Sequence, residues 1–483
     1  MLTFKDLLNF LQMIISWIPR IIGYYLLFLA IALIVPPLFK AAMPENWLER
    51  DRELAAAPMS DRERVMSIDD IHDAEFWRYR LLTQAEETVD MAIFSYRDDM
   101  GGITFTSALM DAADRGVKVR LLVDGINLKT VGSEYFSLID NHPNIEVRIY
   151  NPIRFFKPWT FNYRLHDKFI VVDDQVYMLG GRNQNSLFIG DYDDEPKKNQ
   201  DRDLIVYEGD KHTRNSLMQV EDYFEEIWNL DKVKKVKPLS KDREKDLKQY
   251  RDFEERTGEL QRQLKEKMPD AFRETDWVAE TLPSRRVELI RGSGKAGNKP
   301  PLVYRRLLER MKKGKDIIVE TPYIILNKGH YEDFSDLNEA YGAHVSYLTN
   351  SPEYGANIVG NAEELFNRKA ILRTGSDLYE YMGAQSQHTK TILIDDEISL
   401  VGTFNYDMRS IYLDTESMLC VDSPELNAEL REQMREKMDA SRQVLPGGEM
   451  EYGPDARKES LSTPKSVFLK GVHFLTYPFR HLL

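Results

Sequence analysis

The chain reads Leu165-His166-Asp167-Lys168-Phe169-Ile170-Val171-Val172-Asp173 and, after six further residues, Gly180-Gly181-Arg182-Asn183. Far downstream it reads His388-Thr389-Lys390-Thr391-Ile392-Leu393-Ile394-Asp395, six residues, then Gly402-Thr403-Phe404-Asn405. His to Lys, Lys to Asp and Asp to Gly keep the same spacing in both copies. A single His-x-Lys on a strand is commonly surface decoration or a satisfied core histidine. Two copies in register, each leading into an apolar tetrad, point to a repeated functional unit.

The tetrads Phe169–Val172 and Thr391–Ile394 read as buried strands. Side chains two apart on a strand share a face, so His166 projects with Lys168, and His388 with Lys390. Each pair sets a nucleophile or acid–base group beside a positive charge, which makes half of a phosphate site. Asn183 and Asn405 would add neutral donors to the phosphate oxygens. Two such halves facing each other would set two imidazoles on opposite sides of one phosphorus. One attacks while the other protonates the departing alkoxide and then deprotonates the incoming hydroxyl. Lysines and asparagines supply the electrostatic stabilisation, so neither a metal nor a cofactor is expected.

At these residues the chain resembles the phospholipase D superfamily, whose signature is His-x-Lys-x4-Asp followed by Gly-Gly/Ser-x-Asn, carried twice. Thr403 departs from it in the second copy. Within the superfamily the chain looks most like bacterial cardiolipin synthases over roughly residues 75–435. That stretch also takes in Gln200-Asp201-Arg202-Asp203-Leu204, Asn405-Tyr406-Asp407-Met408-Arg409-Ser410 and Asp414-Thr415-Glu416. The resemblance implies catalytic groups at His166, Lys168, Asp173, His388, Lys390 and Asp395, with Asp173 and Asp395 supporting the motif rather than touching substrate. It implies that a carboxylate orients each imidazole, a role carried to Asp203 and Glu416. It also makes His166 the nucleophile and His388 the acid, then the base.

The formal net charge is −14, which speaks against a general polyanion binder, so nucleic acid is not expected as a partner. Cys420 is the one cysteine, so no intrachain disulfide forms, and its apolar neighbours mark it as a core residue.

Residues 1–20 alternate apolar clusters with Lys5, Asn9, Gln12 and Ser16, the spacing of an interfacial amphipathic helix. Ile21 to Phe39 carries no charge and, as a helix, spans about 28 Å, near the thickness of bilayer hydrocarbon. A cleaved signal peptide is the alternative; the long leading segment favours an uncleaved single-pass anchor. Flanking charges of one sign on both sides leave orientation open, with the cytoplasmic side expected for the catalytic part.

The expected organisation is an anchor over 1–43, a tether over 44–74, a first repeat over 75–231, a charged helical insert over 232–284, a second repeat over 285–440 and a tail over 441–483. Strands are expected at 89–94, 117–123 and 145–150, with a helix over 104–115 ending at Gly116. In the second half, strands at 316–320, 344–348 and 377–381 and a helix over 333–341 mirror them. The fold class is α/β, two pseudo-twofold-related α-β-α repeats with mixed sheets. Between the last first-half strand and His166, residues 151–164 mix Arg154, Lys157 and Arg164 with Phe155, Phe156, Trp159, Phe161 and Tyr163. That composition suits a lipid headgroup, a loop packed on the core, or a base-stacking surface. The glycine-rich 291–299 lacks P-loop spacing and reads as a flexible loop near the site entrance. The tail 465–483 is apolar with Lys470 and Arg480, and fits either an interfacial segment or packing on the catalytic body.

The reaction expected is transfer of a phosphatidyl group between two phosphatidylglycerol molecules held in the membrane. Hydrolysis of phospholipid to phosphatidic acid and phosphodiester cleavage in nucleic acid are the alternatives within the superfamily. Oligomeric state is not legible.

Overall fold

The two motif tetrads become strands Lys168–Val172 and Thr391–Ile394, each near the middle of its own sheet. The structure, a computed structural model, describes residues 4–154, 156–208, 214–240 and 243–483, without the side chains of 4–12 and 14.

The first sheet has nine strands among the described residues, in the order 282–283, 64–68, 203–207, 176–180, 168–172, 88–93, 118–124, 145–150 and 233–235. The second also has nine, in the order 286–291, 417–422, 398–402, 391–394, 316–320, 344–350, 377–381, 441–444 and 450–452. In each half three strands run parallel (88–93, 118–124, 145–150; then 316–320, 344–350, 377–381), and the motif strand joins them antiparallel. The sheets are therefore mixed and equivalent strand by strand around the motif, as the two-repeat reading requires.

Alternation along the motif strands distributes the core. Ile170 and Val172 pack into an outer cluster with the first-half helices, while Phe169 and Val171 face inward. Ile392 and Ile394 face the outer cluster of the second half; Leu393 faces inward. The inner cluster is common to both halves and includes Leu122, Leu204, Ile318, Val401 and Leu419, with residues of helices Ser216–Trp228 and Pro424–Asp439. One apolar core thus holds the two sheets against each other.

Two elements differ from the sequence reading. Residues 44–74 are not a tether. They hold helix Trp47–Ala56, whose buried Asp51 pairs with Arg306 and Arg310, and strand Arg64–Ile68, which joins the first sheet beside 203–207. The insert is not only a solvated helix. Glu244–Lys267 buries Phe253 and Leu264 in the first outer cluster.

The N-terminal helix runs unbroken from Phe4 to Ile34, so the expected amphipathic and spanning segments are one element. The polar stripe of Lys5, Asn9 and Gln12 lies outside the described side chains. From Ile15 to Leu38 the chain is long and apolar enough to cross a membrane and is mostly exposed, touching the folded body at its C-terminal end through Leu33 and Ile34. Its helical part, Ile15 to Ile34, rises roughly 30 Å. The Pro36–Leu38 turn closes it, and Lys40 then lies 4.3 Å above the Tyr412 ring.

Candidate active site

Both histidines sit just before their strands, where the two halves meet. Leu165 bridges Thr415 in parallel, and Ser386-Gln387 pair in parallel with Asn199-Gln200. Each pairing delivers the residue after it. His166 Nδ1 lies 2.9 Å from Glu416 Oε1, and His388 Nδ1 lies 2.6 Å from Asp201 Oδ2. Each of these two imidazoles is thus held by a carboxylate from the opposite half.

Glu416 takes the position expected from the sequence; Asp203 does not. Asp203 is buried against Arg78 at 2.9 Å and Arg182 at 3.2 Å, a charge cluster within the first half. Sheet register explains the difference. Gly180 faces Asp203 and the equivalent Gly402 faces Met418, so the counterpart of Glu416 lies two residues before Asp203 and is Asp201.

Lys168 Nζ donates to the His166 carbonyl at 2.6 Å. Lys390 Nζ donates to the His388 carbonyl and stands 2.6 Å from His388 Nδ1. Both lysines are buried. A third lysine, not singled out from the sequence, completes the set: Lys299 is buried with its ammonium on the Asp414 carbonyl, and its charge acts on Glu416. It comes from the glycine-rich 291–299 segment, which is pinned rather than flexible. Tyr150 OH donates to the Gly294 carbonyl and accepts from the Ala296 amide, each at 2.7 Å.

Asp173 and Asp395 lie at the far ends of the motif strands, about 16 Å of extended chain beyond the lysines, and stand apart from the histidine–lysine pairs. Both have a positive φ, 54° and 48°. Asp173 accepts from the amides of Glu86, Glu87 and Thr88, and Asp395 from those of Lys315 and Asp316. They fix the turn that starts the neighbouring parallel strand.

Asn183 Oδ1 accepts from the Ser95 amide at 3.2 Å, which turns its NH2 group away from that contact. Asn405 Oδ1 is buried with no hydrogen-bond partner, the condition of a group kept for a ligand hydroxyl or for water. Two aromatic rings form further walls: Phe94 meets His166 edge-on at 4.9 Å, and Phe188 meets His388 at 5.0 Å. No repeated spacing in the sequence marks either ring.

The electrostatics tie the groups into one site. Burial, then Lys168, and further Lys390 and His388, hold His166 well below its ordinary value. Burial and Lys390 lower His388 to about 4, with Lys168 adding to the effect. Both rings are neutral at pH 7, the state a nucleophile needs. Burial lowers Lys168 to about 8 and Lys390 to about 7. The carboxylates diverge. Burial lifts Glu416 to about 7 against the pull of Lys168 and Lys299. Burial would also lift Asp201, but Lys390 and His388 overcome it and hold that carboxyl well below the usual range. An ionised Asp201 accepts the Nδ1 proton of His388, leaving Nε2 unprotonated in the neutral ring.

Thr403, the departure from the signature, has a structural role. Its hydroxyl donates to Glu416 Oε2 while Ser410 donates to Oε1 at 2.6 Å. At the equivalent position in the first half a side chain does not fit: a Cβ on Gly181 would collide with Asp201 Oδ1.

The family described as "Cardiolipin synthase, PLD-like domain" matches residues 79–228 and 307–438, more than half of the chain and both halves of the fold. The chain belongs to this family. Cardiolipin synthase C of Escherichia coli K12 is 29% identical over 393 residues, covering 73% of this chain and 80% of the relative. An uncharacterised protein of Helicobacter pylori 26695 is 26% identical over 412 residues, covering 77% and 79%. Among solved structures, phosphatidylserine synthase of Haemophilus influenzae shares the fold, with a TM-score of 0.61 at 14% identity over 91% of this chain and all of that one.

Proposed function

We propose that the protein is a membrane-anchored phosphatidyltransferase that joins two phosphatidylglycerol molecules into cardiolipin and releases glycerol. The reading is carried by the crossed pairs, His166 with Glu416 and His388 with Asp201, assembled with three lysines in one site between the halves. The cardiolipin synthases among the relatives supply the substrate class.

In this reading His166 Nε2 attacks the phosphorus of the first lipid, forming a P–N bond as the P–O bond to glycerol breaks. His388, charged once the anionic lipid is bound, passes its Nε2 proton to the glycerol oxygen. His388 is then neutral and takes the proton from a glycerol hydroxyl of the second phosphatidylglycerol. That oxygen attacks phosphorus, the P–N bond breaks, and His166 is regenerated. Lys168 and Lys390 balance the charge on the phosphorane-like oxygens, and Glu416 stabilises His166 while it carries the phosphatidyl group. The apolar helix over Ile15–Leu38 would hold the site at the bilayer surface, where both substrates lie.

The test is to supply purified protein with phosphatidylglycerol in detergent micelles. Cardiolipin plus glycerol is the expected outcome. Phosphatidic acid plus glycerol would replace the second lipid by water as acceptor. No product from any phospholipid would overturn the reading.

A further inference from the structure

The C-terminal helix Thr463–Thr476 is fixed to the body by one face alone. Leu469 is fully buried; His473 stacks on Phe366 at 3.9 Å and bonds the buried Glu363 at 2.7 Å. Arg480 adds 2.7 Å to the same carboxylate and 2.9 Å to Asn367. The opposite face, at i, i+1, i+7 and i+8, is Val467, Phe468, Phe474 and Leu475, the last two 79% and 70% exposed. Tyr477 and Phe479 continue it into the terminal turn. Six large apolar side chains thus face outward from a segment whose other side is secured by buried charge.

The location of this face says what covers it. The segment ends at the exit of the apolar N-terminal helix, where His481 Nε2 meets the Ile34 carbonyl at 3.0 Å. The Asn162 amide donates to Leu33 O at 3.1 Å, in the same aromatic stretch as Phe156, which is 83% exposed. Asn298 donates to Phe39 O at 2.9 Å. Three separate parts of the fold therefore close around the point where the chain leaves the spanning helix. Charge agrees with the place. Residues 463–483 contain Lys465, Lys470 and Arg480 and no acidic residue, in a chain whose net charge is −14. An apolar face with cations and no carboxylates fits an anionic lipid surface.

We infer that the C-terminal helix and its terminal turn lie in the lipid interface as a second, non-spanning membrane contact, seating the active site against the bilayer. The contact is linked to the site through two residues, Arg409 and Asp414. The Arg409 amide donates to the Leu483 carbonyl at 3.0 Å, and the Arg409 guanidinium is paired with Asp414 at 3.2 Å. Asp414 also accepts from the amide of Arg164, two residues before His166. The inference rests on the membrane-anchored reading above but not on the reaction.

The test reads depth. A spin label on Leu475→Cys, in a Cys420→Ser background, is compared with one on Val278→Cys, an exposed position of the first half, in the full chain reconstituted into vesicles of phosphatidylcholine and phosphatidylglycerol. The 475 label should collide with oxygen in preference to an aqueous nickel chelate, and the 278 label the reverse. Equal nickel access at both positions would overturn the inference. So would protection at 475 that grows with protein-to-lipid ratio, because a second copy would then be the cover. The measurement needs no turnover, so failure to make cardiolipin would not alter the label accessibilities. A Phe474→Glu/Leu475→Glu variant with an unchanged unfolding midpoint should remain anchored and lose about tenfold in rate on vesicle lipid. Short-chain phosphatidylglycerol below its micellar concentration should be turned over at the parent rate, and an equal loss there would assign the face to folding rather than to lipid.

Discussion

His388 and Asp201 stand 187 residues apart in the chain and 2.6 Å apart in the fold. The contact exists because strand pairing across the two halves places Gln387 opposite Gln200. It separates two neighbouring aspartates into different roles. Asp201→Asn is expected to lower kcat by about 10²–10⁴-fold, as loss of the orienting carboxylate does in triad enzymes, with the unfolding midpoint nearly kept. Asp203→Asn should do the reverse. It leaves buried Arg78 and Arg182 short of a charge, which costs about 3–5 kcal/mol of stability, and activity per folded molecule should survive. Steady-state kinetics and thermal unfolding on both variants check the pair; interchanged phenotypes would restore Asp203 to the site.

A pH profile follows from the lifted Glu416 and the lowered lysines. Glu416 ionises as pH rises through about 7, and the ionised form is the one that stabilises a charged or phosphorylated His166. Lys390 and Lys168 lose their charge as pH rises through about 7 and about 8. kcat/KM should therefore form a narrow bell peaking near pH 7, with Glu416 and Lys390 both turning at about 7 and Lys168 steepening the alkaline side at about 8. Glu416→Gln should flatten the acid limb, and Lys390→Arg should carry the alkaline limb upward. A plateau from about pH 6 to 9 would contradict the assignment. Stability has its own sign: with His388 at about 4 in the fold, acidification through the ordinary histidine range protonates the unfolded chain first and favours unfolding.

The motif residues, the two-repeat sheets and most parallel strands are legible because they rest on local periodicity and spacing. Strands 145–150, 316–320 and 377–381 fall where alternation puts them. What is not legible depends on register between distant segments. Asp201 and Asp203 are two carboxylates two residues apart at the start of one strand, and only the pairing of Gly180 with Asp203 and Gly402 with Met418 distinguishes them. Aligning Asp201-Arg202-Asp203 on Glu416-Ser417-Met418 would have found it. Strand Arg64–Ile68 is short and reads as linker until its partner, Asp203–Tyr207, is known. Lys299 and Phe188 reach the site from loops whose course no periodicity encodes.

Gly181 and Thr403 occupy equivalent places and are not interchangeable. A Cβ on Gly181 would run into the Asp201 carboxylate, so Gly181→Thr should displace it from His388 and reproduce the kcat loss of Asp201→Asn. Thr403→Ala removes a donor to Glu416 and should raise the pH of the acid limb by about one unit, the effect of one charge-assisted hydrogen bond. Thr403→Ser keeps the hydroxyl and should keep the limb. An acid limb unmoved in Thr403→Ala would show that this contact does not govern Glu416.

Asp51 ties the segment after the apolar helix to the second half. It is buried with Arg310 at 2.8 Å and Arg306 beside it, and Glu288 shares both guanidinium groups at 3.2 and 2.9 Å. Two arginines facing two carboxylates are balanced; Asp51→Ala leaves one positive charge uncompensated in a buried site. The expected cost is about 3–5 kcal/mol, far above that of an exposed pair. If residues 44–74 were a tether, the same substitution would cost nothing measurable. Denaturant unfolding of the full chain in detergent distinguishes the two, and the double change Asp51→Ala/Arg310→Met, which removes a charge of each sign, should recover much of the loss.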